Sequence, residues 1–93
     1  MTKIDLVESI HEATGHSKKE AAIIVDLFFD IMKDTLEKND EVKISGFGNW
    51  SVRNKKSRMG RNPRTGDPVE ITARRVLTFK ASKILKDRIN NEN

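Results

Sequence analysis

Apolar residues recur at helical spacing over the first forty positions and at strand spacing over the next forty. Ile4, Val7 and Ile10 share one helical face behind Thr2, a cap residue with Asp5 three positions on, and Gly15 closes the segment. Ser17-Lys18-Lys19-Glu20 forms a second start, a capping box that leads into an apolar-rich run ending near Asn39-Asp40. Wound as a helix, residues 20–38 place Asp26, Asp30, Lys33, Asp34 and Glu37 on one narrow face. Ile24, Val25, Leu27, Phe28, Phe29, Ile31, Met32 and Leu36 cover more than half the circumference, and Ile23 alone falls on the polar side. One neighbouring helix covers only about a third of a helix surface, so this arc predicts burial against both its own domain and a second body, most simply another copy.

From Val42 the period changes to two. Val42 and Ile44, the Gly46-Phe47-Gly48 turn, and Trp50 and Val52 predict a hairpin. Alternation fails beyond Val52: residues 53–70 carry Arg53, Lys55, Lys56, Arg58, Arg61 and Arg64 with almost nothing apolar except Met59 and Val69. Gly60, Asn62-Pro63, Thr65-Gly66 and Asp67-Pro68 punctuate the stretch. Ile71, Ala73, Val76, Leu77 and Phe79 return the chain to the core as a strand, irregular around Val76-Leu77. The polar stretch is therefore read as an arm; if its limbs pair, about 8 residues at about 3.3 Å each carry its tip some 25 Å from the body. Ser82 caps a closing helix with Ile84, Leu85 and Ile89 on one side. Helices followed by strands define an α+β domain with three parts: a helical dimerisation part (1–41), a sheet (42–80) with the arm at about 53–72, and a C-terminal helix (81–93).

Ninety-three residues suffice for one small core and no multidomain enzyme, and with no cysteine neither disulfides nor thiolate metal sites can reinforce it. Oligomerisation is the expected source of further burial. The longest apolar run, Ala21 to Val25, is far too short to cross a bilayer, and the opening residues hold no signal-peptide apolar core. The expectation is a cytoplasmic protein with no membrane partner.

Charge adds a polarity along the chain. Residues 1–41 hold five Lys against ten Asp or Glu, a net of −5, whereas residues 42–93 hold 13 Lys or Arg against four acids, a net of +9. One part builds a scaffold and the other meets a polyanion, for which nucleic acid is the leading candidate. Within the arm, Arg61-Asn62-Pro63-Arg64 combines guanidinium groups suited to a narrow electronegative minor groove, an amide for base edges, and a rigid apolar ring. Pro63 is either a plain turn former or a wedge between base pairs, because a ring without an N–H enters a stack with no unpaired donor. Each helix start also pairs a cap with lysine: Thr2-Lys3, Ser17-Lys18-Lys19 and Ser82-Lys83. Cations there oppose the helix dipole, but the same place holds a phosphate when backbone N–H groups and lysine bind it together. Lys80 and Lys86 extend the Ser82-Lys83 site.

Other patterns carry less. Gly46-Phe47-Gly48 lacks the third glycine and the following helix of a nucleotide loop, and Asp26, Asp30 and Asp34 are explained as a solvated helix face. His11 and His16 lack a second ligand type at metal spacing, and Asn49-Trp50-Ser51 is a sequon without meaning unless secreted. No catalytic constellation, cofactor or metal is expected. An RNA-binding dimer is the competing class, disfavoured by few aromatics for base stacking, and a dimer clamping an acidic protein is a further one.

Ser17-Lys18-Lys19-Glu20-Ala21, Lys43-Ile44-Ser45-Gly46-Phe47-Gly48-Asn49, Gly60-Arg61-Asn62-Pro63 with Thr65-Gly66, and Thr72-Ala73-Arg74-Arg75-Val76 with Phe79-Lys80 together resemble the bacterial histone-like HU and integration host factor family over essentially the whole chain. The resemblance implies an intertwined dimer with a helical base, a β-sheet saddle and two β-ribbon arms that wrap the minor groove of double-stranded DNA and kink it. It implies nonenzymatic work in nucleoid organisation, transcription regulation and recombination. Carried over, Pro63 is the intercalating residue and Arg58, Arg61, Asn62 and Arg64 its minor-groove neighbours. Lys3, Lys18, Ser45, Gly46, Gly48, Arg53, Lys55, Arg74, Arg75, Lys80, Lys83 and Lys86 are the expected phosphate contacts, and Phe28, Phe29, Ile31, Leu36, Phe47 and Phe79 the expected dimer core. Thr72 to Phe79 is more similar to α subunits of integration host factor than to HU, which implies a heterodimer with a β-type subunit; an HU-like chain would form a nonspecific homodimer. Ala81 stands where the family usually has proline, and Met59 and Pro68 are unusual arm residues. Pro68, unable to donate to a ladder, is expected to end arm pairing early or to twist its tip.

Overall fold

A computed structural model describes residues 1–91. Helix α1 (Lys3–Thr14) starts as predicted: Thr2 Oγ1 accepts from the Asp5 N–H (3.3 Å) and the Asp5 carboxylate accepts from the Thr2 N–H (2.8 Å). Gly15, at φ 78°, ends it in the left-handed conformation that a side chain would disfavour. Helix α2 (Lys18–Glu37) is capped by Ser17, whose hydroxyl accepts from the Glu20 N–H (3.1 Å) and donates to the Glu20 carboxylate (3.0 Å).

Strands β1 (Val42–Ile44), β2 (Gly48–Lys55) and β5 (Arg74–Ala81) form an antiparallel sheet in the order β1-β2-β5. Strands β3 (Arg58–Arg61) and β4 (Pro68–Ile71) pair separately as a two-stranded ribbon. Helix α3 (Lys83–Asn90) closes the chain; of the expected 81–93 segment, residues 92 and 93 lie outside the described residues. No helix among the described residues is long and apolar enough to cross a membrane.

Three expectations are corrected. Strand β2 continues past Val52 to Lys55, because alternation persists in disguise: Arg53 and Lys55 face away from the helices while Asn54 takes an inward position. The return strand is regular rather than irregular at Val76-Leu77, which pair with Arg53 and Val52; the interruption falls earlier, at Thr72-Ala73, opposite Lys56-Ser57. Pro68 does not end the ribbon early. It pairs opposite Arg61 as the first residue of β4, where no donated bond is needed, and one further bond, Asn62 N–H to Asp67 O (2.9 Å), lies beyond it.

The chain is far from compact. Its radius of gyration is 19.2 Å over extents of 59 × 35 × 26 Å, whereas a compact chain of this length has about 12 Å. Its 8055 Å² of accessible surface exceeds the roughly 5,500 Å² expected of a compact monomer of this mass. Among the described residues only Ala21 and Val25 form a fully buried apolar core. The wide arc read from the sequence is on view: Phe28 is 47% and Ile31 56% exposed. Phe29, Met32 and Leu36 are half-buried, and Phe28 and Phe29 meet edge to face at 5.4 Å. An apolar cavity of about 470 Å³ opens between Phe28, Phe29 and Met32 of α2 and Ile44, Phe47 and Trp50 of the sheet. In one chain, then, the hydrophobic surface of α2 is only half used.

Candidate nucleic-acid interface

Strand alternation sorts the sheet side chains into two faces. Val42, Trp50 and Phe79 align across the three strands, Val52 opposes Leu77 and Asn54 opposes Arg75. Clefts shared with α2 place this face toward the helices. Phe47, Trp50 and Phe79 cluster there, with ring centroids 4.6 Å apart for Trp50 and Phe79 and 5.7 Å for Phe47 and Trp50. The opposite face carries Lys43, Asn49 and Lys80 in one row, then Ser51 with Thr78, Arg53 with Val76, and Lys55 with Arg74. The Ser51 and Thr78 hydroxyls bond at 3.0 Å in its middle, and five cations stand on it, with the Glu41 carboxylate reaching its edge at Asn49.

At one end of this face the start of α3 docks on the β1–β2 turn. The Ser82 N–H donates to Phe47 O (2.9 Å), while the Ser82 hydroxyl caps the helix by accepting from the Leu85 N–H (3.0 Å). The resulting cleft of about 400 Å³ is lined by Lys43, Ser45, Gly46, Gly48, Asn49, Lys80 and Lys83, so three lysines and a helix N-terminus border one open space. Asn49 donates to the Glu41 carboxylate (3.1 Å), which leaves its buried Oδ1 unpartnered. Lys43 and Asn49, absent from the predicted site, belong to it. Their signal was the alternation itself, which sets both on the row of Lys80.

The ribbon projects beyond the sheet. Arg58 opposes Ile71, Met59 opposes Glu70, Gly60 opposes Val69 and Arg61 opposes Pro68. At the tip the Gly66 N–H donates to Asn62 O (2.8 Å) and the Arg64 N–H donates to Asn62 Oδ1 (2.8 Å), with Gly66 at φ 75°. Pro63 therefore occupies the apex of a turn that its neighbours hold closed, and its ring is exposed. The Asn62 amide oxygen accepts within this turn, and its Nδ2 keeps its donors for an outward contact.

The remaining expected contacts are dispersed. Lys18 and Lys86 are exposed on α2 and α3 and line no part of the cleft. Lys3 pairs with the Asp26 carboxylate, and that bond, with Asp30 adding its charge, raises its pKa. Arg75, expected on phosphate, is turned the other way: its guanidinium donates to the carbonyls of Leu36 (3.2 Å) and Glu37 (2.6 Å) at the end of α2. The reason is register, since Arg75 shares a strand face with Leu77 and Phe79 and not with Arg74.

Residues 1–90 match the family described as bacterial DNA-binding protein. The chain is 60% identical over 92 residues to integration host factor subunit alpha of Anaeromyxobacter sp. (strain K), covering 99% of this chain and 81% of that one. It is 59% identical to the protein of the same name from Myxococcus xanthus (strain DK1622), covering 99% and 71%. Among solved structures, HU of Anabaena in a cocrystal with DNA superposes with a TM-score of 0.80 at 32% identity, covering 96% of this chain and 97% of that one. An HU variant from Thermotoga maritima superposes at 0.70 with 26% identity, covering 96% and 99%. The architecture, a helical base carrying a basic sheet and a ribbon arm, is that of a nucleoid-type DNA-binding fold. This chain belongs to the bacterial DNA-binding protein family.

Proposed function

We propose that this protein is an architectural DNA-binding protein of the integration host factor type that bends duplex DNA and catalyses no reaction. The observation that carries the reading is a continuous basic surface: five cations on one sheet face lead into a ribbon whose tip presents an exposed proline. Such a surface neutralises phosphates along a curved path, and a tip ring inserted between base pairs unstacks a step at a cost of a few kcal/mol, offset by the extra contacts a bent duplex makes. Pro63 is the wedge, with Arg58, Arg61 and Arg64 beside it in the minor groove. Lys43, Lys80, Lys83 and the start of α3 hold phosphate at the cleft, and Arg53, Lys55 and Arg74 hold it along the saddle.

The exposed arc of Phe28 and Ile31 on α2 supports a dimer in which residues 1–41 form much of the shared core. Similarity to subunits named alpha supports a β-type chain as the partner. Titration of a duplex with the assembled protein at increasing salt tests the electrostatic reading. With about eight phosphates neutralised, log affinity falls against log salt with a slope of about −7. A slope near zero contradicts it.

A further inference from the structure

Arg74 and Arg75 are adjacent in sequence and opposite in orientation. Arg74 stands on the basic sheet face beside Lys55, whereas Arg75 reaches back 38 residues along the chain to α2. Helix α2 ends without a basic residue in its last turn, and of its last carbonyls that of Leu36 accepts from the Asn39 N–H (3.0 Å). The Nη2 of Arg75 adds a bond to Leu36 O and another, shorter one to Glu37 O, across a cleft otherwise lined by Lys33, Val52 and Leu77.

The position of this link matters because it lies at the root of the arm. Pairing is interrupted at Lys56-Ser57 and Thr72-Ala73, and Arg75 is the second residue of β5 after that break. The ribbon departs from the sheet edge that Arg75 ties to the helical base. An arm of about 25 Å is a long lever, since eight residues rise about 3.3 Å each. Tilting its platform by about 10° moves the tip by roughly 4 Å, more than the 3.4 Å rise of one base-pair step.

We propose that Arg75 is a positioning residue that locks the platform of the arm to the end of α2, and so sets where the tip meets DNA without itself binding phosphate. This rests on the DNA-bending reading above. It separates two arginines that charge alone treats as equivalent.

End-to-end energy transfer on a dye-labelled duplex, measured at full occupancy together with the salt dependence of binding, tests it on the assembled protein. The arms are wild type, Arg75→Lys, Arg75→Gln and Arg74→Gln, each first checked for folding by circular dichroism. Arg75→Lys keeps the charge, but its shorter side chain stops short of the position of Nη2, the single nitrogen that makes both bonds, so the expected result is reduced transfer at saturation with an unchanged salt slope. Arg75→Gln is expected to show the same pattern more strongly. Arg74→Gln, which removes one cation of the phosphate-binding saddle, is expected to shallow the slope by about one per subunit. The proposal is overturned if Arg75→Gln shallows the slope with transfer intact, the signature of a phosphate ligand, or if Arg75→Lys and wild type coincide in both readouts. Should Arg75→Gln fail to fold, the Arg75→Lys comparison decides alone. A wild-type protein that binds without any rise in transfer refutes the bending reading itself, which is a distinct failure.

Discussion

Gly48 and Phe79 touch so closely that a methyl group has no room between them: a Cβ on residue 48 would lie 2.5 Å from the Phe79 ring and 2.8 Å from the Lys80 carbonyl. The glycine is needed here for proximity and not for a special backbone angle, since it lets the aromatic cluster of Phe47, Trp50 and Phe79 close over the strand pair. Gly48→Ala is therefore expected to destabilise the protein by about 1–3 kcal/mol. A thermal melt reads this as a loss of roughly 4–8 °C per kcal/mol in a domain of this size. A melting point within 2 °C of wild type contradicts the packing described.

The exposed arc of α2 makes stability a property of the assembly. Ile31→Asp places a charge on the half of α2 that one chain leaves uncovered, so dimers are expected to dissociate and the melting point to become strongly dependent on concentration. Sedimentation equilibrium reads the mass directly. A stable, fully folded monomer from wild-type protein at micromolar concentration contradicts the shared core.

Acid sensitivity follows from the start of α2. The Ser17 hydroxyl, and after it the His16 ring, hold the Glu20 carboxyl below its ordinary range. A carboxylate with a lowered folded pKa contributes stability above its unfolded value of about 4.3 and loses it as pH falls through the folded value. Ser17→Ala removes the cap, at an expected cost near neutral pH of about 1 kcal/mol, and with it the largest cause of the lowered Glu20 pKa, leaving the His16 ring. The loss relative to wild type shrinks as Glu20 protonates. Melting points of the two proteins between pH 7 and pH 3 check this, and a constant difference across the range speaks against it.

Pro63 sits at the apex of a turn closed by Asn62, Arg64 and Gly66, none of whose bonds uses its ring. Pro63→Ala is thus expected to leave the fold intact and to lower the bend of an intact duplex more than affinity for nicked or prebent DNA. Binding curves on the two substrates, read beside energy transfer, separate the effects. Equal losses on both would mean that the ring is only a turn former.

Much of this was legible in the chain itself. Thr2, Ser17 and Ser82 announce three helices through local capping, and the width of the α2 arc announces a partner, because both signals repeat within one turn of helix. The arm was legible as a stretch no core could hold, although its first expected residues, Arg53 to Lys55, belong to β2. What stayed hidden depends on register over long range. Asn54 and Arg75 oppose each other on the helix-facing side, which disguised the last residues of β2 as arm and made Arg75 read like Arg74. Composition marks cations, whereas only strand pairing tells which face they stand on, and so Lys43 and Asn49 surfaced with the geometry.

The central claim is that this chain, once assembled, bends duplex DNA. Energy transfer between dyes at the two ends of a duplex of about 35 base pairs measures it directly: the duplex alone is nearly straight on this scale, its persistence length being about 150 base pairs. A rise in transfer as the protein saturates the duplex, with this chain alone or together with a β-type subunit, is the predicted result. Saturable binding in both arrangements with transfer unchanged from free DNA would contradict the account.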